Sequence, residues 1–388
     1  MNFIFFSPHF PANSTEFCFY LKQFGINVLG IGDAEYDSFN ARLKYALTEY
    51  YKVSDMEDYE QILRAVGFFT HKYGKIDRFD SLNEYWLELE ARIRTDFNIF
   101  GTKNDFIQNL KKKSKMKWFF EKSGVKTVKC HSYTTREDAL NFIDEVGYPV
   151  VVKPDSGSGA NFTYKIGNEF EFDNVTTNKH LAHENFIIEE FVDGVIYTYD
   201  GLIDIYGNIL FENSHLFEQS IMTVVNNDDN LYYICLPTID PRVRKAGKDI
   251  LKAFDVREKF FHIELFERKK DQSLIALEIN MRPPGAWMTD AINYSYDDNI
   301  YERWAAMIAQ APVKQQGEGK YFTGYASRKN HKTYRYTHEE IIRQYGDRIV
   351  YFNSIEKVFS RAMGDFAYQF RAKTYPEIKQ MINDIQQI

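Results

Sequence analysis

The chain has 388 residues and a mass of 45.8 kDa, enough for two or three packed units, because single cores stop growing near ~250–300 residues. It is 44% hydrophobic and 27% charged, as soluble globular proteins are, and its formal charge of −7 argues against general electrostatic affinity for nucleic acid. No stretch approaches the ~18 consecutive apolar residues of a membrane span, and three scattered cysteines (Cys18, Cys130, Cys235) form no CxxC pair.

In chain order, "MNFIFFSPHF" lacks the basic region and cleavage site of a signal peptide, so the cytoplasm is the expected setting. "NFIFFS" and "INVLGIGD" read as strands. Between them "STEFCFYLKQFG" shows helical spacing from Ser14 to a terminating Gly25, which makes a β-α-β unit and the opening of a parallel sheet. No GxGxxG follows the first strand, which removes a dinucleotide fingerprint. Strand–helix alternation continues to about residue 100. A basic helix is expected from Asp105 to Gly124, then strand, helix, strand, and a glycine-bearing loop in "YPVVVKPDSGSGANFTYKI". A series of strands with Asp-Gly turn signals follows, then a long helix from Asp240 to Phe254 and two apolar strands, "KFFHIELFE" and "SLIALEIN", joined by "RKKDQS". The last part, from about Gly317, mixes strands and helices and ends in "TYPEIKQMINDIQQI".

Three stretches carry chemistry. In "VVVKPDSGSGA" an apolar strand delivers Lys153 to a loop containing Gly157 and Gly159. A lysine point charge and closely approaching backbone N–H groups suit a phosphate. In "FIIEEFVDG" two carboxylates, Glu189 and Glu190, interrupt an apolar strand; such a Glu can accept ribose hydroxyls, and the adjoining backbone can read an adenine edge. Taken alone, the first reads more readily as an ordinary hairpin and the second as a solvated strand end. The third is a pair. In "FFHIELFE" and "LIALEINMRPPGAW", His262 and Glu264 share one strand face, as do Glu278, Asn280 and Arg282. The short turn makes the strands antiparallel neighbours and brings Glu264 towards Glu278 and Asn280. Two carboxylates and an amide oxygen are hard ligands of the kind Mg²⁺ takes beside nucleotide phosphates, and an arginine can clamp a phosphoryl oxygen. The run "KKKSKMK" reads as a solvated helix face, and His9 and His215 carry no assigned role.

In this order and spacing the motifs resemble the ATP-grasp superfamily, and within it the carboxylate–amine ligase-like branch. The resemblance implies an α/β (α+β) fold. Residues 1–100 would form an open parallel α/β domain, 101–193 a small α+β lid subdomain with the basic helix and phosphate loop, and 194–388 a larger antiparallel-sheet domain with the metal site. It also implies ATP and Mg²⁺ (or Mn²⁺), with Glu264, Glu278 and Asn280 as metal ligands. Lys113 and Lys153 would lie at the phosphates, with Lys111, Lys112 and Lys115 as alternatives to Lys113. Ser156, Gly157, Ser158, Gly159 and Ala160 would form the phosphate lid, and the backbone from Glu189 through Phe191 to Val192 would take adenine. Glu190 would take ribose; Tyr197 stands where many members carry a second ribose-binding Glu, with Asp200 as a substitute. Arg282 would steady the transferred phosphoryl group. The implied reaction activates a carboxylate as an acyl phosphate and couples it to an amine, with small-molecule substrates, no nucleic-acid or membrane partner, and a homodimer as one option. Bicarbonate activation and non-catalytic nucleotide binding are the competing readings.

Overall fold

The computed structural model describes residues 1–157, 162–176 and 185–388. Ser158, Gly159 and Ala160 of the expected phosphate lid lie outside the described residues. Three sheets organise the described residues. The first consists of β1 (Asn2–Phe6), β2 (Asn27–Gly32), β3 (Glu49–Lys52) and β4 (Arg78–Asp80), all parallel, in the order β3-β2-β1-β4. Its two central strands, β1 and β2, are mostly apolar because helices cover the sheet: Phe3, Ile4, Phe5, Phe6, Val28, Leu29 and Ile31 are all buried. The helix Ser14–Gln23 follows β1 as its spacing predicts.

The second sheet is small and antiparallel. It has β6 (Cys130–Ser132), β9 (Phe186–Glu190), β7 (Val150–Pro154) and β8 (Tyr164–Ile166), in that spatial order. The third sheet has nine strands, in the spatial order β16-β17-β15-β12-β11-β10-β13-β14-β5. These are β5 (Lys126–Thr127), β10 (Gly194–Ile203), β11 (Ile209–Phe217), β12 (Tyr232–Leu236), β13 (Lys259–Arg268), β14 (Leu274–Asn280), β15 (Phe322–Arg328), β16 (Ile349–Ser354) and β17 (Phe366–Ala372).

The helix Pro241–Ala253, opened by Asp240 accepting from the Arg242 N–H, packs on one face of this large sheet against Tyr199, Phe261 and Ile263. The basic segment departs from a single helix. Lys112 is extended, at φ −92° and ψ 117°, and splits it into Gln108–Lys111 and Lys113–Ser123. The break has a local cause: Asp155 caps the second helix, its carboxylate accepting from Ser114 N and Ser114 Oγ at 2.8 Å each, and its carbonyl from Lys113 N at 2.8 Å. That second helix buries Met116, Phe119 and Phe120 against the large sheet's core, not against the small sheet.

Ion pairs fix the first sheet to the third. Arg78 grips Glu258, and Lys259 meets Asp80, which Arg94 also approaches at 3.4 Å. The loop after β4 therefore stands over the end of β14.

Gly247 marks how closely the long helix approaches the large sheet: a Cβ there would sit 2.0 Å from the Tyr199 ring, which is fully buried. Alanine ordinarily stabilises a helix interior by about 1 kcal/mol over glycine. Here overpacking should reverse the sign, and Gly247→Ala should destabilise by about 1–3 kcal/mol, read from the urea midpoint. A variant more stable than the parent would contradict this packing.

Candidate active site

β13 and β14 pair antiparallel with Glu264 directly opposite Glu278 and His262 opposite Asn280. Between these pairs and Leu265–Ala276 the register slips by one residue at Leu277. That bulge puts Ala276 on the core face and Glu278 on the other, and it frees the Leu277 carbonyl to accept from Lys117 Nζ at 3.2 Å. The Asn280 amide donates to Glu278 Oε1 at 3.1 Å, leaving its own oxygen as an acceptor. Glu264, Glu278 and Arg282 keep 21%, 17% and 15% of their side chains open, so this face is reachable from solvent.

Around the carboxylates stand buried cations. Lys113 Nζ lies 3.9 Å from Glu278 Oε2 and donates to the Gly157 carbonyl at 2.8 Å. Burial and the nearby Lys153 pull its pKa down, against Glu278. Lys153, at the end of β7, contacts Glu189 Oε2 at 2.6 Å, and Lys117 contacts Glu189 Oε1 at 2.8 Å. Burial alone would raise the Glu189 pKa, but the two ammonium groups outweigh it and hold it down at about 2. Glu278 is likewise held below the ordinary carboxylate range, burial being outweighed by Lys113 and Lys153. Arg282 donates from Nη1 to the Pro283 carbonyl at 2.9 Å, and its Nε lies 3.7 Å from Glu84, in the segment after β4. Lys111 is not at the carboxylate pair; it binds Glu84 at 3.1 Å and the Glu84 carbonyl at 2.9 Å. Lys115 is exposed.

The structure thus gathers Lys113, Lys153, Gly157, Glu189, Glu278, Asn280 and Arg282, with Glu264 across from Glu278. It places others elsewhere. Glu190 lies on the opposite side of β9 from Glu189, and its Oε1 accepts from the Lys129 N–H at 3.1 Å. Phe191 sits under Lys165 Nζ at 4.0 Å, and Val192 is buried. Ser156 is exposed beside Gly157.

Two expectations are corrected. Tyr197 pairs with Leu265, one residue out of phase with Thr198 opposite Glu264, so its ring lies on the core face away from the carboxylates. Asp200 is fully buried with both oxygens taken, one by His215 Nδ1 at 2.8 Å and the other by His262 Nδ1 at 2.5 Å, and has nothing left for a ribose. This network continues from His262 Nε2 to Glu264 Oε1 at 3.3 Å, tying the acidic pair to the sheet interior. His9 stacks on Phe39 and lies 3.3 Å from Asp33.

Sequence reasoning missed Lys117 and Glu84. Lys117 stands four residues after Lys113 and so shares its helix face, yet the run reads as solvated; in fact Lys111, Lys113 and Lys117 are all buried. Glu84 lies in the loop after β4, at the carboxyl end of a parallel sheet where ligands bind in such folds.

Among the described residues no three His, Cys, Asp or Glu side chains gather as a metal cluster, and no helix is long and apolar enough to cross a membrane. A model of the ATP-grasp domain matches residues 146–290. Phosphoribosylamine–glycine ligase of Fusobacterium nucleatum is 35% identical over 107 residues, which is 26% of this chain and 25% of that protein. Alanine–anticapsin ligase of Bacillus subtilis is 28% identical over 149 residues, 35% of this chain and 30% of the relative. The matched stretches thus span less than a third of these relatives. The crystal structure of an L-amino acid ligase from Bacillus licheniformis superposes with a TM-score of 0.73 at 15% identity, over 99% of this chain and 96% of that one, a likeness of fold.

Replacing Glu189 leaves two buried ammonium groups without their partner, so Glu189→Gln should cost about 3–5 kcal/mol at pH 7. Because the folded pKa is depressed, the stability that Glu189 contributes is fully present above its unfolded value of 4.5 and is lost as pH falls towards about 2. Urea unfolding of both proteins at pH 7 and pH 3 should show the gap narrowing at the lower pH. A gap that is constant or wider there would contradict the pairing.

Proposed function

We propose that this chain, which has the ATP-grasp fold and carries an ATP-grasp domain over residues 146–290, is an ADP-forming ligase that activates a carboxylate with ATP and joins it to an amine. The observation that carries the reading is the Glu264–Glu278 pair on neighbouring strands with buried Lys113 3.9 Å from Glu278. A pair of carboxylates so placed is unfavourable unless cations occupy the space in front of it. The names of two curated relatives, a phosphoribosylamine–glycine ligase and an alanine–anticapsin ligase, support the same class.

The donor set fits the ion such chemistry uses: two carboxylates and an amide oxygen are hard ligands, and three are enough when nucleotide phosphates and water complete the shell. Glu264, Glu278 and Asn280 would hold Mg²⁺ or Mn²⁺, which when bound neutralises phosphate charge and orients the triphosphate. Lys113 and Lys153 are already fixed by Gly157 and Glu189, so their charge acts on the phosphates with little reorganisation. Arg282, anchored on Pro283 and partly open, would hold the phosphoryl group in transfer. Attack of a carboxylate oxygen on the γ-phosphorus breaks its bond to the β-γ bridging oxygen, leaving ADP and an acyl phosphate. The amine then attacks the acyl carbon, releasing phosphate and, after loss of a proton, leaving an amide. The loop from Ser156 to Ala160 would exclude water from the mixed anhydride. In this reading the domain at 1–100, whose Glu84 lies 3.7 Å from Arg282, would supply the acceptor side, with 101–193 over the phosphates and 194–388 beneath them. Small-molecule substrates and a cytoplasmic setting accompany this reading.

The test is a panel of amino acids and other carboxylates, bicarbonate included, with Mg-ATP and with amines or hydroxylamine. ADP should form only when a carboxylate is present, and hydroxylamine should trap the acyl phosphate of an organic carboxylate as a hydroxamate. Arg282→Ala should lower kcat by about 10²-fold or more while ATP still raises the melting temperature. If no carboxylate elicits ADP and Glu278→Ala leaves nucleotide binding unchanged, the chain is a nucleotide-binding protein without this chemistry.

A further inference from the structure

The face of the large sheet that bears the acidic pair can be followed strand by strand: Glu278 opposes Glu264, Glu264 opposes Thr198, the Thr198 hydroxyl accepts from the backbone N–H of its neighbour His215, His215 opposes Cys235, and Cys235 opposes Thr323. Arg328 lies five residues beyond Thr323 on the regular strand β15, an odd step, and therefore projects from the other face. There it lines an open cavity of about 350 Å³, within the size range of small-molecule sites.

The cavity is built around an arginine whose hydrogen-bonding capacity is not filled. Arg328 is only 9% exposed; its Nε donates to the Ile385 carbonyl at 2.6 Å, and its Nη2 is buried without a hydrogen-bond partner among the described residues. The titratable groups that act on it are the Tyr368 and Tyr334 phenols, not a carboxylate. A buried guanidinium lacking an anion is costly, and an anion from outside would supply what is missing. Lys329 and Lys332 add positive charge, and no acidic residue lines the cavity. Two carboxylates border it: Asp228 is shared between Lys329 at 2.7 Å and His331 at 2.6 Å, while Lys332 Nζ binds the Asp228 carbonyl, and Asp365 accepts from the Asn330 N–H at 2.8 Å.

The remaining wall is aromatic. Arg328 stacks over Tyr334 with its guanidinium carbon 4.6 Å from the ring centre. His338 bonds the Tyr368 hydroxyl at 3.0 Å and lies 4.8 Å from the ring of Phe352, which is 44% exposed. Charge on one side and flat apolar rings on the other select a ligand with both features.

We propose that this cavity is a second ligand site for a small aromatic carboxylate, its carboxylate held by Arg328 and Lys332 and its ring packed on Phe352. It is separated from the nucleotide face by the sheet, so occupancy does not depend on the ligase reading.

The test uses full-length protein and three probes: benzoate, its neutral isostere benzamide, and inorganic phosphate, titrated by calorimetry with and without saturating Mg-ATP. Benzoate should bind saturably at one site and should not be displaced by Mg-ATP. Benzamide should bind at least about tenfold more weakly, as loss of a charge-assisted pair requires. Arg328→Gln should weaken benzoate by a similar factor. Because that change also touches the Ile385 contact, Lys332→Gln and Phe352→Ala, which alter partly open side chains, provide the independent check and should each weaken it severalfold. The proposal is overturned if benzoate does not saturate, if Mg-ATP competes with it, or if Lys332→Gln and Phe352→Ala both bind like the parent. Phosphate binding as tightly as benzoate and indifferent to Phe352→Ala would overturn the aromatic assignment and leave a plain anion site.

Discussion

Two carboxylates are held opposite each other on neighbouring strands, and the rest of the molecule is arranged around that constraint. Like charges so paired destabilise a sheet, and burial sharpens the penalty. The chain answers with cations from two separate elements: Lys113 from the helix Lys113–Ser123, and Lys153 from the end of β7. It also answers from beneath, where His262 reaches Glu264 and is itself held by Asp200. What this compensation leaves open is the solvent side of Glu264, Glu278 and Arg282, the direction from which a metal-bound triphosphate would arrive.

The cations are themselves held in place. Glu189 divides its two oxygens between Lys117 and Lys153, so a strand of the small sheet and the basic helix are locked to one carboxylate. Asp155 ties the start of that helix to the end of β7. Preorganised charge of this kind favours chemistry in which negative charge moves, because the dipoles and ions need not reorient when it does. The same bonds explain why the basic helix breaks at Lys112: continuing it would pull Lys113 away from Asp155.

Much of this was legible in the sequence. Alternation of Glu278, Asn280 and Arg282 placed three polar groups on one strand face, and the turn "RKKDQS" made β13 its antiparallel partner. The bulge at Leu277, which decides that Glu264 meets Glu278 and not its neighbour, has no signal in residue type. Tyr197 was misplaced because the resemblance aligns positions without stating strand phase, and Asp200 because it does not show which partners other strands bring. Thr198 opposes Glu264, so its neighbour Tyr197 must face the core, and Asp200, on the correct face, is consumed by two histidines drawn from other strands. Lys117 and Glu84 were invisible for a different reason: a buried lysine and a solvated one look alike until the partner carboxylate, 72 residues away for Glu189, is brought to it.

The most direct measurement of the central claim is water-proton relaxation with Mn²⁺ as the reporting ion, titrated with ATP against the parent protein and against Glu264→Gln and Glu278→Gln. The account expects a tight ternary complex of protein, Mn²⁺ and ATP, weakened about tenfold or more by each substitution as a carboxylate ligand is lost, with metal-free ATP bound much more weakly and nearly equally by all three proteins. If Mn²⁺ adds nothing to ATP binding, or if neither substitution changes the ternary complex, the acidic pair is not a metal site and the account is wrong.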